Sequence, residues 1–223
     1  MIRLRVICEG TTEAYFVERI LIDSLSQHGV MPSATKLGPP GHKGGRVNWQ
    51  RVRGHVTRLL LEDRHAFVTT FFDYFRMETD MPGYRDPGAV STGQKKRSVE
   101  EGMRNKLLDA DRGSAVCLRF IPYVQMHEFE GLLFSDPTRM ANGMRRPEFA
   151  DDFMKIRLGG ATPEDINDSP QTAPSKRIES IFSGYGKTVH GPAAAEAVGL
   201  AAMRRECPFF HDWVSKLEAL ANS

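Results

Sequence analysis

Three apolar, strand-like segments each run into acidic residues, and this repeat constrains the chain more than any other feature. Residues 4–8 end at Glu9, residues 66–72 end at Asp73, and residues 116–124, interrupted by Pro122, are soon followed by Glu128 and Glu130. Between them lie stretches with apolar residues at helical spacing. Phe16, Val17, Ile20, Leu21 and Leu25 form one, and Val52, Val56, Leu59 and Leu60 another. Thr11-Thr12-Glu13 reads as a helix start with a hydroxyl N-cap, and Gly29 as its stop. A short strand is expected at 35–37, and Asn48 is expected to cap a second helix running to about Asp63. Residues 76–97 read as a long polar loop, after which Ser98 and Glu101 form a capping-box pattern for a third helix. A short helix is expected at 129–134.

Strand and helix alternate to about residue 134, which predicts an α/β fold: a Rossmann-like, mainly parallel sheet flanked by helices. Beyond Asp136 strand signals fade. Short helices are expected at 148–156, 175–183, 192–205 and 208–221, with Ser175 as an N-cap. The expected division is a core over 1–134 and a helical C-terminal region over 135–223 packed on it.

In parallel strands joined by helices, the C-terminal ends share one sheet edge, and ligands bind outside that edge. Glu9, Asp73 and one or both of Glu128 and Glu130 would then converge. Two carboxylates about 4 Å apart repel by roughly 4 kcal/mol at an effective dielectric of about 20. A bound cation or a retained proton relieves this. All-oxygen donors suit Mg²⁺ or Mn²⁺ rather than zinc. The plain alternative is that acids after strands cap helices or face solvent. On a regular helix Glu128 and Glu130 would point nearly opposite ways, so only one would enter a site unless the segment is irregular. His127 is expected at a helix start or hydrogen-bonded behind the acids. Glu13 either serves the first helix's dipole or backs Glu9.

The charge balance limits the partners. Thirty Lys and Arg face 28 Asp and Glu, a net of +2, which excludes histone-like binding over the whole surface but leaves room for a local basic groove. Residues 41–64 carry Lys43, Arg46, Arg51, Arg53, Arg58 and Arg64 against Glu62 and Asp63. Residues 92–106 carry Lys95, Lys96, Arg97, Arg104 and Lys106 against Glu100 and Glu101. Either run could neutralise phosphates, or be a solvated face. Gly41 to Arg46 could present amides to phosphate but lacks the GK[ST] ending of a phosphate loop. Lys176, Arg177, Lys187 and His190 could reach a phosphate from the helical region. Trp49, Phe209, Phe210 and Trp213 read as core. Cys8, Cys117 and Cys207 form no CxxC pair, and free thiols fit a reducing compartment. The apolar run before Glu9 is too short for a signal peptide, and no run reaches membrane-spanning length. The expectation is a cytoplasmic protein, its oligomeric state left open.

The stretch Val6 to Val17, with Cys8-Glu9-Gly10-Thr11-Thr12-Glu13, resembles the opening strand, acidic loop and helix of toprim-like proteins. Asp73-Tyr74-Phe75 stands where a toprim domain carries DxD. The segments Ile121 to Phe134 (with His127-Glu128-Phe129-Glu130) and Ile166 to Arg177, with Tyr185-Gly186-Lys187 and His190-Gly191, are similar to the bacterial family called domain of unknown function 4276. The resemblance spans nearly the whole chain. It implies a toprim-like α/β core, a fold found in topoisomerases, primases and nucleases. Carried over, Glu9 matches the first acid, a general acid/base or metal ligand, and Asp73 the first aspartate. Phe75 replaces the second aspartate, which Glu128 or Glu130 could supply. The strand-end acids together with the toprim resemblance point to a Mg²⁺- or Mn²⁺-dependent nuclease-like protein acting on DNA or RNA. Glu9, Asp73 and Glu130 would be catalytic, with Glu128 among the metal ligands. Lys43, Arg46, Lys176, Arg177 and Lys187 would hold phosphates. The alternatives are a regulatory module working with an ATPase, as the toprim-like partners of defence ATPases suggest, and a phosphohydrolase of small nucleotides.

Overall fold

The computed structural model describes residues 1–38, 47–110, 117–166, 169 and 172–222. Contacts divide the chain into two units: Met1–Val124 with Leu217–Ser223, and Gln125–Lys216. The expected boundary after residue 134 lies ten residues beyond the first of these crossings.

The first unit is built on a parallel sheet. Its strands β1 (Ile2–Cys8), β2 (Val30–Lys36), β3 (Phe67–Asp73) and β4 (Phe120–Ile121) lie in the order β2-β1-β3-β4, and β5 (Val124–Gln125) pairs with β3. The β1–β2, β1–β3 and β3–β4 pairs are parallel. Leu4, Val6, Ile7, Cys8, Phe71 and Phe72 are fully buried, the near-continuous apolar run of a strand covered on both faces. Of the predicted strand at 116–124, residue 116 lies outside the described residues and 117–119 are not strand but helix and turn, while Pro122 separates the rest into two short strands. It has no N–H to give the ladder. The hydroxyls of β3 take over: Thr69 Oγ1 donates to Ile121 O at 2.6 Å, and Thr70 Oγ1 accepts from Tyr123 N at 2.9 Å.

Helices α1 (Thr11–Phe16) and α2 (Ile22–Gln27) are joined by a π-helical turn, Val17–Leu21, and Gly29 stops the run at φ +73°. The expected threonine N-cap is not used. Gly10 holds the N-cap position, and its N–H donates to Glu13 Oε2 at 2.9 Å. Helix α3 (Trp49–Glu62) starts as expected, with Asn48 Oδ1 accepting from Arg51 N at 3.0 Å. Arg119 closes its other end, donating to the carbonyls of Leu60, Asp63 and Ala66. Helix α4 (Thr92–Ala110) begins six residues before the predicted Ser98 cap. A second box, Ser91 with Gln94, wins: Gln94 N donates to Ser91 Oγ at 3.2 Å and Ser91 N to Gln94 Oε1 at 2.9 Å. Ser98 lies inside the helix and donates instead to Asp86 Oδ2. Gly83, at φ +74°, lets the preceding loop lie on this helix, since a Cβ there would stand 2.1 Å from Ser98 O.

The second unit is helical, as the loss of strand signal predicts. It contains α5 (Glu130–Leu133), α6 (Pro137–Gly143), α7 (Ala150–Arg157), α8 (Pro174–Ile181), α9 (Lys187–Val198), α10 (Leu200–Glu206) and α11 (Pro208–Glu218), whose last residues return to the first unit. The predicted helix at 192–205 is broken because Gly199 takes φ +77°. Asp136 caps α6, accepting from Arg139 N at 2.9 Å. Ser175 does not cap α8: Ala173 is the N-cap and Pro174 the first helical residue, the position proline favours. Phe134 and Phe153 meet edge to face at 6.1 Å between centroids. Phe210 and Trp213 are buried as expected, whereas Phe209 and Trp49 are only half-buried.

Candidate functional site

In the sheet unit, Glu9 and Asp73 stand at the same edge. The β1–β3 register pairs Cys8 with Phe71, so Glu9 lies one residue and Asp73 two residues beyond the last pair. With strands about 4.8 Å apart and rising about 3.3 Å per residue, the two backbones come within roughly 6 Å. The strand order puts β2 on one flank of β1 and β3 on the other, which makes this the point where the connections diverge. Both acids are buried, 7% and 4% exposed. Arg76 Nε donates to Glu9 Oε1 at 2.8 Å. Arg76 ends the short turn Tyr74–Arg76 that follows β3, so the segment after Asp73 reaches back to β1. Its side chain is 64% exposed, which limits the pair to about 1 kcal/mol of stability. Arg76 was not among the expected residues, although a base three positions after a strand-end acid was there to be read. Glu13 takes the helix role described above.

In the helical unit, Glu128 and Glu130 meet one cation. The segment is irregular: His127 is buried in a left-handed conformation, φ +64°, and α5 begins only at Glu130. The expectation that one glutamate would turn away holds for a regular helix, and that regularity is missing. Lys187 Nζ lies 3.0 Å from Glu130 Oε2 and 3.5 Å from Glu128 Oε1. Glu128 Oε2 accepts from the backbone N–H of Ser175 at 2.9 Å, where it serves the orphan donors at the start of α8. Tyr185 Oη donates to Glu130 Oε1 at 3.2 Å. Lys187 is the first residue of α9, and the turn before it is fixed by Gly186 N donating to His190 Nδ1 at 2.9 Å. Burial pushes the Glu130 carboxyl above its ordinary range, Lys187 opposes this, and Glu128 adds to it. Burial and Glu130 together push the Tyr185 phenol up, so it stays a donor. Tyr185 and Ser175 were missed as partners of these acids, because only folding brings residues 47 and 55 positions apart together.

The other basic residues are scattered. Lys176 pairs with Glu179 at 2.6 Å on an exposed helix face, and Arg177 Nε donates to Thr172 O at 3.1 Å. Lys96 is withdrawn from any phosphate: it is buried, paired with Glu100 and stacked over Tyr123 at 4.6 Å. Glu100 also accepts from Val124 N at 3.0 Å, which ties α4 to β5. Lys43 and Arg46 lie outside the described residues. All three cysteines are buried, and burial raises the thiols of Cys8 and Cys207. Among the described residues no helix is long and apolar enough to cross a membrane.

No curated protein matches the chain. Among solved structures, the C-terminal region of the OLD protein of Xanthomonas campestris pv. campestris is similar over 97% of this chain and 98% of its own, at 16% identity and a TM-score of 0.41. The sequence matches the family described as Domain of unknown function (DUF4276) over residues 8–218. With nearly its whole length matched, the chain belongs to that family.

Proposed function

We propose that this protein is a divalent-cation-dependent phosphodiesterase of nucleic acids, with Asp73, Glu128 and Glu130 as cation ligands and Glu9 as general base. One observation carries the reading: Glu9 and Asp73, both buried, end adjacent parallel strands at one sheet edge, and Glu128 and Glu130, also buried, are gathered on one lysine within the helical unit. Such a group could bind a metal, and oxygen donors of this kind fit Mg²⁺ or Mn²⁺. When bound, the ion would supply charge neutralisation at the phosphoryl oxygens and a more acidic water. Glu9 takes one proton from the attacking water at its carboxylate, and Arg76 keeps that carboxylate oriented. Water oxygen bonds to phosphorus as the ester oxygen leaves and is protonated by solvent, so a diester and water become a monoester and an alcohol. Lys187 neutralises Glu128 and Glu130, and with a cation held by these acids its ammonium would be available to a phosphate oxygen. The toprim-like opening around Glu9 supports the same assignment.

The test is cleavage of plasmid, single-stranded DNA and RNA with Mg²⁺, Mn²⁺ or chelator, beside Glu9→Gln. Metal-dependent cleavage that falls at least about 100-fold in Glu9→Gln is the expected outcome. Undiminished cleavage in that variant removes Glu9 from the mechanism. A second reading, a module active only with a partner such as an ATPase, is favoured by Phe75 in place of a second aspartate and by the commitment of Glu128 to Ser175. Cleavage by the protein alone defeats it.

A further inference from the structure

One cavity in the sheet unit belongs to neither acidic group. It has a volume of about 580 Å³ and is lined by Thr35, Lys36, Arg51, Gly54, His55 and Arg58, among others. That volume lies within the range of small-molecule sites. Three of these side chains are cationic and none is acidic. Arg58 Nη1 pairs with Glu62 at 2.7 Å.

The cavity's place in the fold ties it to the sheet edge. Lys36 is the last residue of β2 and pairs in register with Cys8, immediately before Glu9. One wall residue of the cavity, Lys36, therefore lies one strand over from Cys8, about 5 Å across the sheet, and Glu9 is the residue after Cys8. Its polar groups are arranged for an acceptor. Arg58 Nη2 lies 3.1 Å from His55 Nε2, which orients the guanidinium against a neutral ring.

Gly54 adds an independent argument. It sits in the middle of α3, where glycine is a poor choice against alanine. No packing requires it, because a Cβ there would meet nothing within 4 Å. What the missing side chain leaves is open space in a basic cavity.

We propose that this cavity binds a phosphate group of a nucleic-acid backbone and so holds the polymer beside Glu9. The proposal rests on the phosphodiester reading, but the two are tested separately. Gly54→Glu is the decisive variant. It suits a helix better than glycine, forms an i,i+4 pair with Arg58, fills the cavity and reverses its charge.

Binding of a short fluorescent single-stranded oligonucleotide is measured by anisotropy in chelator, so that no cation takes part. The expected result is a loss of about tenfold in affinity for Gly54→Glu, with a shallower salt dependence. Gly54→Ala should stay within about twofold of the wild type, and Lys36→Ala should weaken binding in the same direction as Gly54→Glu. Inorganic phosphate and a mononucleotide serve as competitors. If they bind in a Gly54-dependent way and the oligonucleotide does not, the site takes small anions and the polymer assignment falls. Oligonucleotide affinity unchanged in Gly54→Glu, or no binding by the wild type, overturns the proposal. Mn²⁺ binding followed in parallel keeps the readings apart: Gly54→Glu should retain it, whereas Asp73→Asn should lose it and keep the oligonucleotide.

Discussion

At the level of single residues, the same charge has different uses depending on what surrounds it. Glu9 and Glu13 are four positions apart, yet one stands at a sheet edge against Arg76 and the other caps a helix. Lys187 and Lys176 are both on helical N-termini, but only Lys187 meets two glutamates. His55 offers a pH test. Burial first, then the neighbouring Arg58, lowers its pKa below the ordinary value. The folded state therefore resists a proton that the unfolded chain accepts near about 6.5. Stability from this group is fully present above that pH and is lost as pH falls toward the folded value. The ring is half-exposed, so screening keeps the effect under about 1 kcal/mol. Thermal unfolding from pH 7.5 to 5 should show a shallower loss in His55→Gln than in the wild type. Identical slopes would mean that His55 titrates alike in both states.

At the level of elements, buried acids hold helix ends. Glu164 is fully buried, and its two oxygens accept from Phe209 N at 2.8 Å and Phe210 N at 2.9 Å, the start of α11. In the sequence it is one acid of a polar stretch, with nothing to mark it from Asp165 beside it. Glu164→Ala should cost about 2–3 kcal/mol, because two amides lose their acceptor in a closed site. Asp165→Ala, which removes an exposed partner of Thr162, should cost less than about 1 kcal/mol. Urea unfolding of the two variants checks this, and equal losses would refute the capping role. Close helix approach is set the same way. A Cβ on Gly143 would stand 2.6 Å from Ala193 O, so α6 and α9 meet through a glycine and an alanine run.

At the level of the whole molecule, the chain leaves the sheet unit at Val124 and returns at Leu217. The return is anchored inside that unit: Glu218 accepts from Ser24 Oγ at 2.7 Å, and Leu217 is fully buried. The proposed cation ligands lie on both sides of the first crossing, Asp73 before it and Glu128 and Glu130 after it. Cation binding should raise the stability of whichever part holds the ion. Calorimetry with Mn²⁺ should show a raised transition, with about 2.7 kcal/mol gained at 100 times the dissociation constant. Asp73→Asn should abolish the shift. A shift that persists in that variant, or none in the wild type, would remove Asp73 from the ligand set.

The sequence by itself determined the α/β class, the three strands that lead to acids, and most helix positions, because these depend on local periodicity and on glycine and proline punctuation. It also carried the acids Glu9, Asp73, Glu128 and Glu130 and the family motifs around them. Where two local signals competed, the sequence was ambiguous. Ser91 with Gln94 and Ser98 with Glu101 both fit the box pattern, and the folded chain uses the first. The strand order, the irregular turn at His127 and the meeting of Tyr185, Ser175 and Lys187 with the glutamates were decided by tertiary structure. These contacts join residues dozens of positions apart, and no local pattern encodes such a pairing.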